Sequence, residues 1–145
     1  MTLHLVKLCV GCDSVDDLIA WIGERKADRV KRGVVPDRIH RTRQSPKRAA
    51  EILDGGSLYW VIKGEIKVRE AVLDLRAVTD DAGVSYCDIV LSGEPVAVAP
   101  RRLRPFQGWR YLPAHEAPRD MHSFGSGMQS LPPELARELS LLGLL

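Results

Sequence analysis

Long hydrophobic runs are missing from this chain. No apolar stretch approaches the ~20 residues a membrane helix needs. The start, Met1–Cys12, lacks a charged segment followed by a long apolar core, so it does not read as a signal peptide. Both absences predict a cytoplasmic protein with no membrane partner. Cysteine is scarce and odd in number, three in 145 residues, which fits reduced thiols better than a disulfide framework. The four histidines, His4, His40, His115 and His122, are dispersed, and none has metal-ligand spacing with another. There is no Gly-x-Ser-x-Gly elbow, no phosphate loop and no dinucleotide fingerprint. The chain therefore carries no catalytic signature and calls for no cofactor or metal. An enzyme is unsupported rather than excluded.

What is present is an uneven charge distribution. The net charge of +2 conceals a window from Arg25 to Arg48 with ten Lys/Arg and two acids, a charge of +8, on a remainder of −6. Such a segment reads equally as a phosphate footprint and as a solvated loop and helix face. His40 lies inside it, in the run His40-Arg41-Thr42-Arg43. Aromatic residues make up only 6% of the chain. The stretch Arg101–Leu112, which interleaves Phe106, Trp109 and Tyr111 with arginines, is therefore conspicuous as a base-stacking and phosphate-contact candidate. The alternative is that these rings are core under arginine stems. That reading suits Trp109.

At 145 residues the chain is sized for one domain. Residues 2–10 alternate as a strand, with Leu3, Leu5, Lys7 and Cys9 on one face and His4, Val6, Leu8 and Val10 on the other. Both faces are largely apolar, so this strand belongs in the middle of a sheet. Ser14 caps a helix over about residues 15–27, with Val15, Leu18, Ile19 and Ile22 as its buried stripe and Trp21 at the rim. Ile39–Thr42 is a short extended piece. Ser45-Pro46 opens a second helix that ends at Gly55-Gly56. Strands follow over residues 57–63, 66–78 and 84–91 and from 96, joined by turns at Gly64, 79–83 and 92–95. Residues 113–130 read as an irregular arm. Residues 131–145 read as a leucine-rich helix that packs on its own sheet or on a second copy in a homodimer. The Cys9-Val-Gly-Cys12 pair permits redox chemistry, but the helix cap at Ser14 leaves neither thiol at the helix start. Cys87 reads as core. Glu65 and Glu70 are weak acid–base candidates near a turn.

Four segments carry a recognisable pattern. They are His4–Gly11, Thr42-Arg43 with Pro46–Arg48, Gly55–Gly64, and Arg104–Leu112 followed by Ala117-Pro118. Together they resemble the bacterial family named domain of unknown function 1489, over nearly the whole chain. Arg69-Glu70 stands where the family usually has Arg-Gln. More loosely, the order of features in the central half is similar to PUA-like domains, including the ASCH and EVE domains. The ASCH signature itself is not reproduced by Gly64–Arg69. That likeness implies a single α+β domain, a small mixed or antiparallel sheet curled into a pseudo-barrel with peripheral helices and a C-terminal helix. It also implies a protein that binds RNA or a modified base. On this expectation Arg41, Arg43, Lys47 and Arg48 contact phosphates beside His40. Tyr59, Trp60 or Phe106 forms a stacking wall, and Lys63 and Arg69 stand at its mouth. The alternatives are an enzyme or binder for a small phosphorylated or nucleotide-like ligand, using His40 with Glu65 or Glu70, and an adaptor acting through the C-terminal helix.

Overall fold

The computed structural model describes residues 2–33 and 38–123. Eight strands form one mixed sheet: β1 (Leu3–Leu8), β2 (Arg38–Thr42), β3 (Ser57–Ile62), β4 (Glu65–Thr79), β5 (Ser85–Leu91), β6 (Val96–Arg102), β7 (Trp109–Pro113) and β8 (Asp120–Ser123). Helix α1 (Val15–Lys31) and the single turn α2 (Ala49–Ile52) both lie in the long connection from β1 to β3. That connection lets β1 and β3 pair in parallel, Leu5 opposite Leu58. Every other pairing is antiparallel.

The strand order is β2-β5-β4-β3-β1-β7, and a branch leaves β4 through β6 to β8. The branch exists because β4 is long. Its first half pairs with β3 and β6, and its second half with β5. The sheet therefore spreads into two wings and does not close. This corrects the expected pseudo-barrel: among the described residues β2 and β7 remain ends, with no pairing between them. The α+β class stands.

β3 is buried along its whole length, since both of its faces are covered. Leu58, Trp60 and Ile62 face a first core with Leu3, Leu5, Leu18, Ile22 and Ile52, under the two helices. Tyr59 and Val61 face a second core with Val6, Ile66, Val98 and Leu112. A bulge in β4 decides which residues reach which core. Trp60 lies opposite Val68 but Val61 lies opposite Ile66, so Lys67 is the extra residue. Ile66 consequently joins the second core and Val68 the first, although they share sequence parity.

Gly56 permits the tight entry to β3. A side chain there would collide with the carbonyls of Leu3 and Ile52. The turn from β3 to β4 uses left-handed backbone at Lys63 (φ 51°) and Gly64 (φ 78°), the pattern of a two-residue hairpin.

Several expectations shift. α1 continues four residues past residue 27, to Lys31. Its cap is as expected, with Ser14 Oγ accepting from the Asp17 N–H at 3.2 Å. The second helix shrinks to Ala49–Ile52 and takes no cap from Ser45. Its leading segment is tied to β7 instead: Trp109 Nε1 donates to the Gln44 carbonyl at 2.8 Å, and the Arg48 N–H donates to Tyr111 Oη at 3.2 Å. The irregular arm contains a 3-10 turn (Ala114–Glu116) and β8. The expected C-terminal helix over residues 131–145, and with it the adaptor surface, lies outside the described residues.

Candidate functional site: a basic groove and two polar clusters

The basic window divides among three environments. Along α1, Trp21, Arg25, Asp28, Arg29 and Arg32 recur at spacings of three and four, which brings them onto one helical face. That face, with Arg38 and Ile39 of β2 and Ser92-Gly93 of the β5–β6 turn, lines a groove of about 560 Å³. Five cations line it (Arg25, Lys26, Arg29, Arg32, Arg38) against two acids, Glu24 and Asp28. The Arg25 guanidinium lies 4.0 Å over the Trp21 ring. Asp28 pairs with Arg32 at 3.2 Å, an exposed contact of little energetic weight.

Other bases are engaged elsewhere. Arg41 holds Asp88 through two contacts of 2.7 and 3.1 Å. This pairing keeps the Asp88 carboxyl below the ordinary carboxylate range. Arg48 holds Glu51 at 2.5 and 2.7 Å. Arg41 and Arg43 both lean over Tyr86, and Lys47 and Lys63 are exposed. Phe106 is half-buried against the second core, with Arg110 over its ring. Phe106 thus packs against the core that holds Tyr59, while Trp60 faces the other core.

Beneath the groove is a buried polar cluster. Glu70 is 0% exposed. It accepts from Arg38 Nε and Nη2 at 3.2 and 3.3 Å, and from Trp60 Nε1 at 2.8 Å. Arg38 thus belongs both to the groove wall and to the core. A buried carboxylate with three charge-assisted or indole donors is satisfied, and it holds Arg38 in place. His40 packs edge-on against Trp60, ring centroids 5.0 Å apart at 87°. Its buried Nε2 has no hydrogen-bond partner among the described residues. Burial, then the charges of Lys7, Arg38 and Arg25, push its pKa down to about 4. His40 is therefore a neutral imidazole in a cationic surrounding. Lys7 is also shifted down, by burial. The Cys9 thiol is shifted up by burial and by its hydrogen bond with the Cys12 thiol. All three cysteines are free and buried.

On the opposite face, Tyr59 and Arg69 line a smaller cleft with His4, Ser57 and Asp120. Tyr59 and Arg69 are cross-strand partners, and Trp60 projects to the other side of the same strand. Tyr59 and Trp60, two of the alternative stacking rings, thus lie on opposite faces of the sheet. Sequence reasoning also passed over Trp21, Arg25, Arg29, Arg32 and Arg38 as one group, although the helical spacing of the first four was a usable signal. No spacing links His4, Ser57 and Asp120.

The family model described as Protein of unknown function (DUF1489) matches residues 5–145. The chain belongs to that family. No curated protein and no solved structure matches it. In this DUF1489 protein the resemblance-bearing segments supply the central β1–β3 pair, the turn into β4, and β7. Among the described residues no group of three metal-capable side chains forms, and no helix is long and apolar enough to cross a membrane.

Proposed function

We propose that this DUF1489 protein binds nucleic acid, with the phosphates of one strand held along the groove between α1 and β2. The observation that supports this reading is the groove lining itself, five cations against two acids beside Trp21. Arg25 to Arg32 spans about 10 Å along the helix, room for more than one phosphate contact. Arg38, its side chain largely buried and held by Glu70, adds positive charge to the groove wall. The α1 row is preferred to Arg41 and Arg48 because its cations line one groove, whereas Arg41 faces Asp88 and Arg48 faces Glu51 outside it. RNA single strands are the favoured partner, because the Arg25 guanidinium lies over the half-buried Trp21 ring, and a base can stack on a guanidinium plane.

The test is fluorescence anisotropy of labelled single-stranded RNA and of duplex DNA across a salt series. Affinity for RNA should fall linearly in log–log form, and reversing both Arg25 and Arg29 to Glu should lower the slope by about 0.7 per lost contact. Replacing Arg41 and Arg43 by Ala should change little. Binding that is absent at low salt, or insensitive to the Arg25/Arg29 reversal, refutes the assignment. A second reading, a small phosphorylated ligand, is favoured by the unpartnered Nε2 of His40 among Lys7, Arg25 and Arg38. A nucleoside monophosphate that binds as tightly as the oligonucleotide would select it.

A further inference from the structure

The cleft on the second-core face has a donor inventory of its own, and none of it belongs to the basic groove. Its volume is about 360 Å³ and it is shared by β1, β3, β4 and β8. Asp120 lies two strands from Arg69 in the sheet. It nevertheless receives Arg69 Nε at 2.7 Å and Nη2 at 2.6 Å. Arg69 Nη1 donates to Ser57 Oγ at 3.0 Å. The Ser57 backbone N–H donates to His4 Nδ1 at 3.0 Å. That bond fixes the imidazole tautomer, since an accepting Nδ1 leaves the proton on Nε2. The His4 ring meets Tyr59 edge-on at 5.1 Å.

The hydrogens that remain are one on His4 Nε2, one each on Arg69 Nη1 and Nη2, and those of the Ser57 and Tyr59 hydroxyls. The open acceptors are about as many: the spare lone pairs of Asp120, of Ser57 Oγ and of the Tyr59 oxygen. Donors and acceptors are thus nearly balanced, so the complementary group carries both carbonyl oxygens and an N–H, as an amide or imide does. Charge then narrows the choice. Arg69 and Asp120 cancel as a bidentate pair, and His4, its pKa lowered by burial and by Arg69, is neutral. An anion would stand beside the half-exposed Asp120 carboxylate, and a cation beside the Arg69 guanidinium.

We propose that this cleft is a binding site for a small uncharged carbonyl-bearing ligand, a cyclic amide or imide, held by His4, Tyr59 and Arg69. It lies on the opposite face of the sheet from the groove assigned to nucleic acid, and it stands whether or not that assignment does.

Three four-carbon probes of different charge test it on the full chain: succinimide (neutral, two carbonyls), succinate (anionic) and 1,4-diaminobutane (cationic). Each is titrated while the His4 and Tyr59 side-chain resonances are followed by NMR. Succinimide should shift both resonances saturably and independently of salt. Tyr59→Phe keeps the ring and removes one donor, so it should weaken binding roughly fivefold to tenfold. His4→Asn, whose amide oxygen can still accept from Ser57, should weaken it by a similar factor. Tighter binding of succinate or diaminobutane overturns the neutral-ligand assignment. Absence of a saturable shift with succinimide, or unchanged affinity in Tyr59→Phe, overturns the site.

Discussion

Lowering the pH should destabilise this protein through His40. The unfolded imidazole has an ordinary pKa of 6.5, and the folded one is held at about 4. Between those values the unfolded state binds the extra proton, so stability rises with pH there and is lost as the pH falls below about 6.5. From pH 7 to pH 5 the loss from this one group is about 2 kcal/mol. It approaches about 3 kcal/mol near pH 4. The groups facing the ring explain the direction: Trp60 supplies an apolar edge, Arg38, Lys7 and Arg25 supply positive charge, and the Glu70 carboxylate is occupied by Arg38 and Trp60. His4 acts in the same direction, its pKa lowered by burial and by Arg69. The carboxylates lowered by arginine partners, Asp88 and Asp120, titrate below their ordinary 3.8, outside this window. Urea unfolding at pH 7, 6 and 5 measures the slope. His40→Phe retains a ring against Trp60 and removes the titration, so it should flatten the profile by about 2 kcal/mol across those conditions. An equally steep profile in His40→Phe refutes a buried neutral His40.

Glu70→Leu should cost about 3–5 kcal/mol, because it leaves the Arg38 guanidinium (side chain 8% exposed) without its carboxylate. The double change Arg38→Met with Glu70→Leu should recover much of that loss, and chemical denaturation of both variants decides. Gly56→Ala should lower the thermal midpoint by the equivalent of about 2 kcal/mol or more, since its methyl group would meet two backbone carbonyls that cannot yield cheaply. A variant within experimental error of the parent would show that β3 enters the sheet differently. In the folded protein Cys9 should resist iodoacetamide at pH 8, where its burial and its thiol partner keep it protonated. Rapid native labelling, compared by mass spectrometry with labelling in denaturant, would contradict that.

The elements with a strong period were legible in the sequence. The alternation over residues 2–10 assigns Leu3 and Leu5 to one core and Val6 to the other, as observed. The Ser14 cap, the Leu18 and Ile22 stripe and the 79–83 hairpin are likewise where local chemistry puts them. What local chemistry could not reveal is long-range. The parallel pairing of β1 with β3 depends on a crossover of 48 intervening residues. The shortening of the second helix depends on β7, whose Trp109 and Tyr111 claim the backbone of Gln44 and Arg48. β8 is a four-residue strand held by β6 and by the reach of Arg69 to Asp120. The charge of the basic window was legible, but its neutralisation was not, because Glu70, Asp88 and Glu51 all lie outside the window.

The single residue Lys67 accounts for how the two sites divide. A regular β4 would keep Ile66, Val68 and Glu70 on one face. The bulge instead sends Ile66 to the second core while Val68 and Glu70 turn to the first. From that point on, Arg69 opposes Tyr59 and Glu70 opposes Leu58 beside Trp60. Two adjacent charged residues thereby serve opposite faces. Glu70 steadies Arg38 at the wall of the basic groove, and Arg69 bridges Ser57 and Asp120 in the neutral cleft. Because each is fixed by partners on its own face, the two sites share a strand without sharing a hydrogen bond. A change in one should leave the other's binding intact, and comparing the Arg25/Arg29 reversal with Tyr59→Phe in both binding assays tests that independence directly.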